Sequence, residues 1–474
     1  MTAQKATRRR TTRTAPPDAA PTNAPAARAG RTEPHAHPAP TVRVALLGAG
    51  NVGGALAEIL LTRADDVAAR TGIRLELAGI AVANPDRARS AVIPADLIGT
   101  DAAALVARDD VDVVVEVIGG LHPAHELVEA ALRNGKPVVT ANKALLATAG
   151  AELAEVAANA GVDLLYEAAV AGAIPVIRPL RESLAGEQIV RIMGIVNGTT
   201  NYILTKMEEA GDDYDDVLRE AQALGLAERD PTADVEGHDA AAKAAILASL
   251  AFGSDVVDGD VHREGISGIS AADVAYANRL GYSVKLLAVA ELLDGGPEVS
   301  VRVHPAMVPK THPLASVRGA FNAVFVEGAV SGELMLYGRG AGGGPTASAV
   351  LGDVVDASRN LLAGAPAPAP KRSRTTVRSQ NDMRSAFYLS MDVADRPGVL
   401  AAVAKIFGDH DVSIRAMEQV GLAEEARLIF LTHVAREGDL LATIDALRNL
   451  QAVDRVSGVL RVVDGADGHG DDGS

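Results

Sequence analysis

Val42-Arg43-Val44-Ala45-Leu46-Leu47-Gly48-Ala49-Gly50-Asn51-Val52-Gly53 is an apolar, β-rich run that ends in G-x-G-x-x-G. Its unbroken hydrophobicity is that of a parallel strand buried on both faces. Ala55 to Leu61 then reads as a helix. In such a strand–loop–helix unit the first glycine makes the tight turn and the second lets backbone approach a pyrophosphate. The third allows helix and strand to pack closely, and the helix N-terminus faces the phosphate charge. Gly48, Gly50, Asn51, Val52 and Gly53 are thus candidate dinucleotide contacts. A tight βα turn without ligand would use the same glycines; the strand before and the helix after favour the ligand.

Outward from this motif, Leu75–Val82 and Val111–Gly120 read as further strands, His122–Gly135 as a helix that stops at glycine, and Pro137–Lys143 as a strand and turn. Strands alternating with helices predict an α/β fold, a Rossmann-type doubly wound parallel sheet, over 41–162. An acid at the tip of the second strand would select NAD, a nearby base NADP. Here the strand runs into Val82-Ala83-Asn84-Pro85-Asp86-Arg87-Ala88-Arg89. No acid sits at the tip, Asp86 comes two residues late, and Arg87 and Arg89 either reach a 2′-phosphate or are solvated. NADP and NAD both stay open.

The chain of 474 residues is too long for one core. Residues 163–363 mix long helical runs with the strands Lys285–Leu293 and Asn322–Val330 and predict an α+β domain, to which the family resemblance given below assigns substrate binding, catalysis and dimerisation. Alternating Ala-Pro and a basic cluster then mark 364–383 as an exposed linker. Over 384–464 the order is βαββαβ, a ferredoxin-like module. Residues 1–40 and 465–474 read as disordered tails. The first of these carries +5, against a total of −16, which leaves −21 on the rest. So acidic a body repels nucleic-acid phosphates. Cysteine is absent, which excludes disulfides, thiolate metal sites and a cysteine nucleophile. No apolar run reaches the ~18 residues of a membrane span. A cytoplasmic enzyme with neither nucleic acid nor membrane as partner is expected.

Lys243 and Asp239 lie four residues apart and share one face of a helix made mostly of Ala, Ile and Leu. An exposed ion pair is the plain reading; so apolar a helix favours a cleft. Upstream, Leu224–Gly237 packs acidic residues around Pro231, either to bind an ammonium group or as a solvated turn. Lys143 follows a predicted parallel strand, at the end where open α/β sheets bind ligands. Tyr166–Pro175 is small and glycine-rich with one carboxylate, Glu167, and its backbone suits a hard cation or a packing turn. Gly338–Val350 is a glycine-dense loop feeding a helix, whose amides can meet a cofactor.

Together GAGNVG at 48–53, VVVEVIGG at 113–120, VVTANKALL at 138–146, YEAAVAGAIP at 166–175, IVNGTTNYIL at 195–204, GLAERDPTADVEGHDAAAKAAI at 225–246 and GRGAGGGPTASAV at 338–350 resemble the homoserine dehydrogenase family, in consistent order from Val42 to Leu362. The last module, with Asp395-Arg396-Pro397-Gly398-Val399-Leu400, looks like an ACT domain. The resemblance implies NAD(P)-dependent interconversion of L-aspartate 4-semialdehyde and L-homoserine. It implies Lys243 as proton donor, Lys143 beside substrate and cofactor, and Gly225, Glu228 and Asp239 at the substrate. Gly119, Gly340 and Gly342 join the cofactor contacts. A monovalent cation, sodium, would be held by Glu167 and the carbonyls of Val170, Gly172 and Ile174. L-Threonine would be an effector near Asp395, with the amides of Gly398, Val399 and Leu400, in a homodimer or homotetramer. Many relatives carry a base after the second strand where Ala83-Asn84 stand here. Another Rossmann oxidoreductase of amino-acid metabolism and a non-catalytic amino-acid sensor are the competing readings; intact Lys143 and Lys243 weigh against the sensor.

Overall fold

The computed structural model describes residues 39–463 apart from 88, 294–295, 297, 367–375 and 423–424. Residues 1–38 of the expected tail 1–40, the whole of the expected tail 465–474, and residues 367–375 of the expected linker lie outside the described residues.

Strand β1 (Thr41–Leu47) lies inside a parallel sheet with β2 (Arg74–Ala81), β3 (Ile98–Gly99), β4 (Val113–Glu116), β5 (Val138–Thr140) and β6 (Leu164–Leu165), in the order β3-β2-β1-β4-β5-β6. The two-residue period of a strand divides the core. Val42, Val44 and Leu46 pack with Leu56 and Leu60 of helix α1 (Asn51–Thr62); Ala45 and Leu47 belong to the opposite face. After α2 (Ala64–Thr71), that opposite face is covered by α3 (Ala102–Ala107), α4 (Ala124–Arg133) and α5 (Lys143–Ala160) through Leu105, Val128, Leu145 and Leu153. The chain leaves β1 for β2 on one side and reaches β4 on the other, so the crevice beyond the carboxyl ends of β1 and β4 is the topological switch point where such sheets bind ligands.

Beyond this sheet come β7 (Ile189–Ile195), α6 (Gly198–Ala210), α7 (Tyr214–Ala223), α8 (Thr232–Val235), α9 (His238–Phe252), β8 (His262–Arg263), α10 (Ala271–Arg279), β9 (Tyr282–Leu293), β10 (Glu298–Pro309), β11 (Phe321–Gly328), β12 (Gly332–Arg339) and α11 (Gly343–Ala363). β12, β11, β7, β9 and β10 form an antiparallel sheet on which α9 packs. Next are β13 (Thr376–Val377), β14 (Arg384–Ala394), α12 (Val399–Asp409), β15 (Ile414–Leu422), β16 (Glu425–Thr432), β17 (Ala435–Arg436), α13 (Glu437–Arg448) and β18 (Val453–Val462). Apart from the two-residue β13 and β17, this is the expected βαββαβ order, with strands arranged β18-β14-β16-β15. β18 pairs with β10, so the second and third units share one continuous sheet.

Four sequence expectations change. The boundary at 162/163 cuts the first sheet short, because β6 completes it and α11 returns from far along the chain to pack its Ala347, Val350 and Val354 against β1 and β4. The strand expected over 111–120 ends at Glu116, whose carboxylate turns back to accept the amides of Ile118 (2.7 Å) and Gly119 (3.1 Å). The linker expected over 364–383 is not free at its end: β13 pairs with Glu298 and Val299 of β10, and Gln380 donates to Glu437 (2.7 Å). The strands expected over 285–293 and 322–330 are not consecutive: β10 comes between them in the chain and pairs with β9, Pro305 lying opposite Leu286 within the sheet.

Candidate active site

At the switch point, Gly48 sits at φ +99°, and a Cβ on it would lie 2.7 Å from Val117 O. A Cβ on Gly53 would collide with Gly48 O. These two glycines are needed for the turn itself. Gly50 is different: it has an ordinary φ of −76° and nothing within 4 Å of the place its Cβ would occupy. Gly50 is exposed, and the space beside it is open. α1 starts there at Asn51 and Val52 without a side-chain cap, so its first amides are available to an anion. The glycine-dense loop arrives at the same point, where a Cβ on Gly343 would lie 2.6 Å from Asn51 O. α11 too begins uncapped, at Gly342. The cradle therefore fits a dinucleotide phosphate from two helix N-termini. Gly340 lies deeper, against Asn322 and Gly172. Gly119 stands in the open turn after β4.

That turn leads to the second half of the site. Asn142 donates through Nδ2 to Gly120 O (2.7 Å) and caps α5 by accepting from Leu145 N (3.1 Å). Lys143, the first residue of α5, reaches across to Asp239 Oδ1. On α9, Lys243 donates to Asp239 Oδ2 (2.7 Å) and to Val196 O (2.6 Å). One buried carboxylate thus bridges two lysines from different domains, at the carboxyl edge of the parallel sheet. Burial works against the charge on Asp239, yet Lys243 and Lys143 outweigh it and hold the carboxyl below the ordinary carboxylate range. Burial also lowers the Lys243 ammonium from its usual value, opposed by Asp239 and reinforced by Lys143. A buried ammonium with a lowered pKa gives up its proton readily.

Lys143, Asp239 and Lys243 come together as the sequence reading anticipated; Gly225 and Glu228 do not join them. Both are exposed in the loop after α7, which is tied down nearby by Thr199 Oγ1 donating to Leu226 O (2.7 Å). The sequence reading missed Asp234 and Asn197. Asn197 donates through Nδ2 to Asp234 Oδ1 (2.7 Å) and Asp239 Oδ2 (2.9 Å). The signal was available: an Asn just after an apolar strand-like run and before Gly198-Thr199-Thr200 is a helix cap at the sheet edge.

The cation turn needs correction. The Glu167 carboxylate accepts the amides of Val176 (2.6 Å), Ile177 (2.8 Å) and Arg178 (2.8 Å), so it is already satisfied. Among the described residues, the carbonyls of Val170, Gly172 and Ile174 accept no hydrogen bond. No group of three His, Asp or Glu is set to hold a metal among the described residues. At the start of α12 the Val399 amide is turned inward to Arg396 O (3.3 Å), so it is not offered to a ligand as expected. Gly398, at φ +92°, and Leu400 flank it, and Asp395 accepts from Gln419 (3.2 Å).

Comparison with known proteins agrees with this arrangement. The profile "Homoserine dehydrogenase, NAD binding domain" matches residues 48–167, "Homoserine dehydrogenase" matches 175–355, and "ACT domain" matches 387–452. A homoserine dehydrogenase of Mycobacterium tuberculosis is 52% identical over 431 residues, covering 89% of this chain and 97% of its own length. One from Corynebacterium glutamicum is 51% identical over 90% of this chain and 96% of its own. The chain belongs to the homoserine dehydrogenase family. It is an oxidoreductase with a Rossmann-type NAD-binding domain, a second domain built on a mixed sheet, and a C-terminal ACT domain. A homoserine dehydrogenase structure from Thiobacillus denitrificans, 42% identical, superposes with a TM-score of 0.84 over 90% of this chain and 98% of that one. A hyperthermophilic archaeal homoserine dehydrogenase, in complex with NADPH, is 30% identical with a TM-score of 0.58, over 68% of this chain and 98% of its own. Among the described residues no helix is long and apolar enough to cross a membrane.

Proposed function

We propose that the Asp239-centred cluster is where L-aspartate 4-semialdehyde and L-homoserine are interconverted. The observation that carries this reading is the buried Asp239 held between Lys143 and Lys243, next to the glycine cradle. When bound, the nicotinamide supplies or accepts the hydride. As negative charge grows on the aldehyde oxygen, Lys243 donates its proton, and its lowered pKa suits it to do so. Lys143, half-exposed at the cleft, adds a second positive charge. Asp239 fixes both lysines, and Asp234, held beside it through Asn197, is placed to meet the substrate's ammonium group; Gly225 and Glu228, exposed in the loop after α7, would reach the substrate only if that loop closes over it.

NADP and NAD both fit the cradle, since the tip of β2 has no acid. The relative bound to NADPH favours use of the phosphorylated form. For a monovalent cation, sodium, we assign the carbonyls of Val170, Gly172 and Ile174, with Glu167 contributing its own carbonyl; oxygen donors without other partners suit a hard ion. The ACT domain takes an amino-acid effector, L-threonine in our reading, near Asp395, Gly398 and Leu400. A homodimer is supported by edge strand β12, where Leu334, Met335 and Tyr337 are exposed. We read the reaction as cytoplasmic, a reading supported by its water-soluble substrates and cofactor.

The test is NAD(P)H oxidation by the purified chain with L-aspartate 4-semialdehyde, and homoserine oxidation in reverse, with and without millimolar L-threonine. Turnover in both directions that is lost in Lys243→Ala supports the site; a Lys243→Ala enzyme with full kcat overturns it. Undiminished activity across the threonine titration removes the effector while leaving the site intact.

A further inference from the structure

Asn197 stands where β7 passes into α6, and its side chain has two ends with separate tasks. Oδ1 accepts Thr200 N at 2.9 Å and so caps α6. Because Thr200 N can only donate, this bond fixes which end is oxygen and which is nitrogen. Nδ2 must then face the site, where it bridges Asp234 Oδ1 and Asp239 Oδ2. Asn197 is itself buried, and its neighbours hold the turn rigid. Val196 O accepts from Lys243, and Asn201 is bonded through Nδ2 to Gly319 O (2.9 Å) and Phe321 O (3.1 Å). Two carboxylates that would repel one another are thus held side by side by a neutral double donor. An aspartate at 197 would keep the helix cap yet add a third negative charge; a serine would keep the cap and lose the bridge.

Resting on the reading that the Asp239 cluster is the reaction site, we propose that Asn197 is a positioning residue. It sets the spacing of Asp234 and Asp239 and, through Asp239, the aim of Lys243. It takes no proton and makes no bond to the reacting atoms. Without the bridge Asp239 loses one of the anchors on Oδ2, and misplacement on the ångström scale at a reacting centre costs up to about a hundredfold in rate.

The experiment compares Asn197→Ser and Asn197→Asp with wild type and with Lys243→Ala, reading Tm, kcat, KM for homoserine and the pH dependence of kcat/KM. Expected are near-wild-type Tm in Asn197→Ser, a lower Tm in Asn197→Asp, whose added charge is buried beside two carboxylates, and kcat/KM lowered about ten- to a hundredfold in both. For Asn197→Asp the kcat/KM profile as a whole also moves to higher pH, since a third carboxylate beside Asp234, Asp239 and Lys243 makes each of them hold its proton more tightly. Wild-type kcat, KM and pH profile in both folded variants would overturn the proposal. Should neither variant fold, Thr200→Val removes the hydroxyl that reaches Asn197 Oδ1 (3.1 Å) and Asn197 O (3.2 Å) while keeping the amide cap from Thr200 N. A raised homoserine KM there supports the proposal, and unchanged kinetics overturn it. If Lys243→Ala itself retains full kcat, the parent reading has failed instead.

Discussion

Arg461, near the end of β18, donates to Glu264 of the catalytic unit through Nη1 (2.9 Å to Oε2) and Nη2 (2.8 Å to Oε1). The same guanidinium donates to Glu437 at the start of α13 (2.9 and 2.7 Å). A second tie lies beside it: Asp273 of α10 accepts from Tyr388 (2.8 Å) and Ser390 (2.7 Å) of β14. The ACT module therefore does not hang from a free linker, as its Ala-Pro composition suggests; it extends the catalytic sheet through buried charge. Gly265, next to Glu264, packs so closely on Val235 and Glu236 that a Cβ would clash with both. Through that contact the seam adjoins the segment that carries Asp234 and Asp239.

Arg461→Met should accordingly destabilise the whole chain by about 3–5 kcal/mol, because it leaves two carboxylates without their cation. Burial works against the charge on Glu264, but His262 and Arg461 outweigh it and hold the group below the ordinary carboxylate range. A depressed carboxyl stabilises above its unfolded pKa and loses that contribution as pH falls toward its folded value. The variant should therefore differ most from wild type near neutrality and converge with it in acid. Urea titrations at several pH values check this. A chain truncated after Gly364 should melt below full-length protein; equal Tm values would restore the picture of independent units.

Lys243→Ala should lower kcat by about 10²–10⁴, the range for loss of a positioned general acid. Lys143→Ala should raise KM as well as lower kcat, since Lys143 is half-exposed to the cleft and held by a single carboxylate. Steady-state kinetics in both directions separate the two. Equal effects of the two variants on kcat alone would contradict this division of roles.

Much of this was legible because it is local. The glycine motif, its strand and its helix occupy consecutive residues, and Asp239 and Lys243 share a helix face by spacing alone. What was not legible depends on pairing across sequence. The β10–β18 ladder joins Ala306 and Met307 to Arg461 and Val462, and no local pattern announces it. The acids of 228–236 look alike in sequence; only the turn into α8 and α9 directs Asp234 to Asn197 and leaves Glu228 in solvent. Glu167 was legible as a special residue, but the task of its carboxylate, accepting three backbone amides, was not.

Asp353 of α11 is buried beside that carboxylate, accepting Glu167 N (2.7 Å) and facing Arg178 (3.3 Å). Burial, with the neighbouring Glu167 charge, pushes its pKa up to about 7 against the opposing bond from Glu167 N. A carboxyl raised in the folded state stabilises fully below its unfolded pKa and loses that contribution as pH rises through the folded value. Asp353→Asn removes this dependence. Between about pH 4 and 7.5 the wild type should lose stability relative to the variant, by up to about 2–4 kcal/mol at the upper end. Parallel curves of Tm against pH for the two proteins would show that Asp353 ionises normally.

Two glycines of one motif should fail in opposite ways. In the folded chain a Cβ at Gly53 meets Gly48 O, which belongs to the turn and cannot move without unpicking it; Gly48 N is bonded to Ala81 O (2.8 Å). Gly53→Ala should therefore lower Tm, with weaker cofactor binding as a consequence. At Gly50 the backbone already has a conformation alanine accepts, and the site of its Cβ is empty. Gly50→Ala should leave Tm unchanged, or raise it slightly as glycine-to-alanine replacement at a permitted φ does. The new methyl then occupies the space left for the pyrophosphate, and KM for NAD(P)H should rise at least about tenfold, the equivalent of ~1.4 kcal/mol. Thermal melts without cofactor, set beside cofactor titrations of the same two variants, distinguish a glycine kept for the fold from one kept for the ligand. A Gly50→Ala enzyme with unaltered cofactor KM would mean that the dinucleotide does not approach the backbone there.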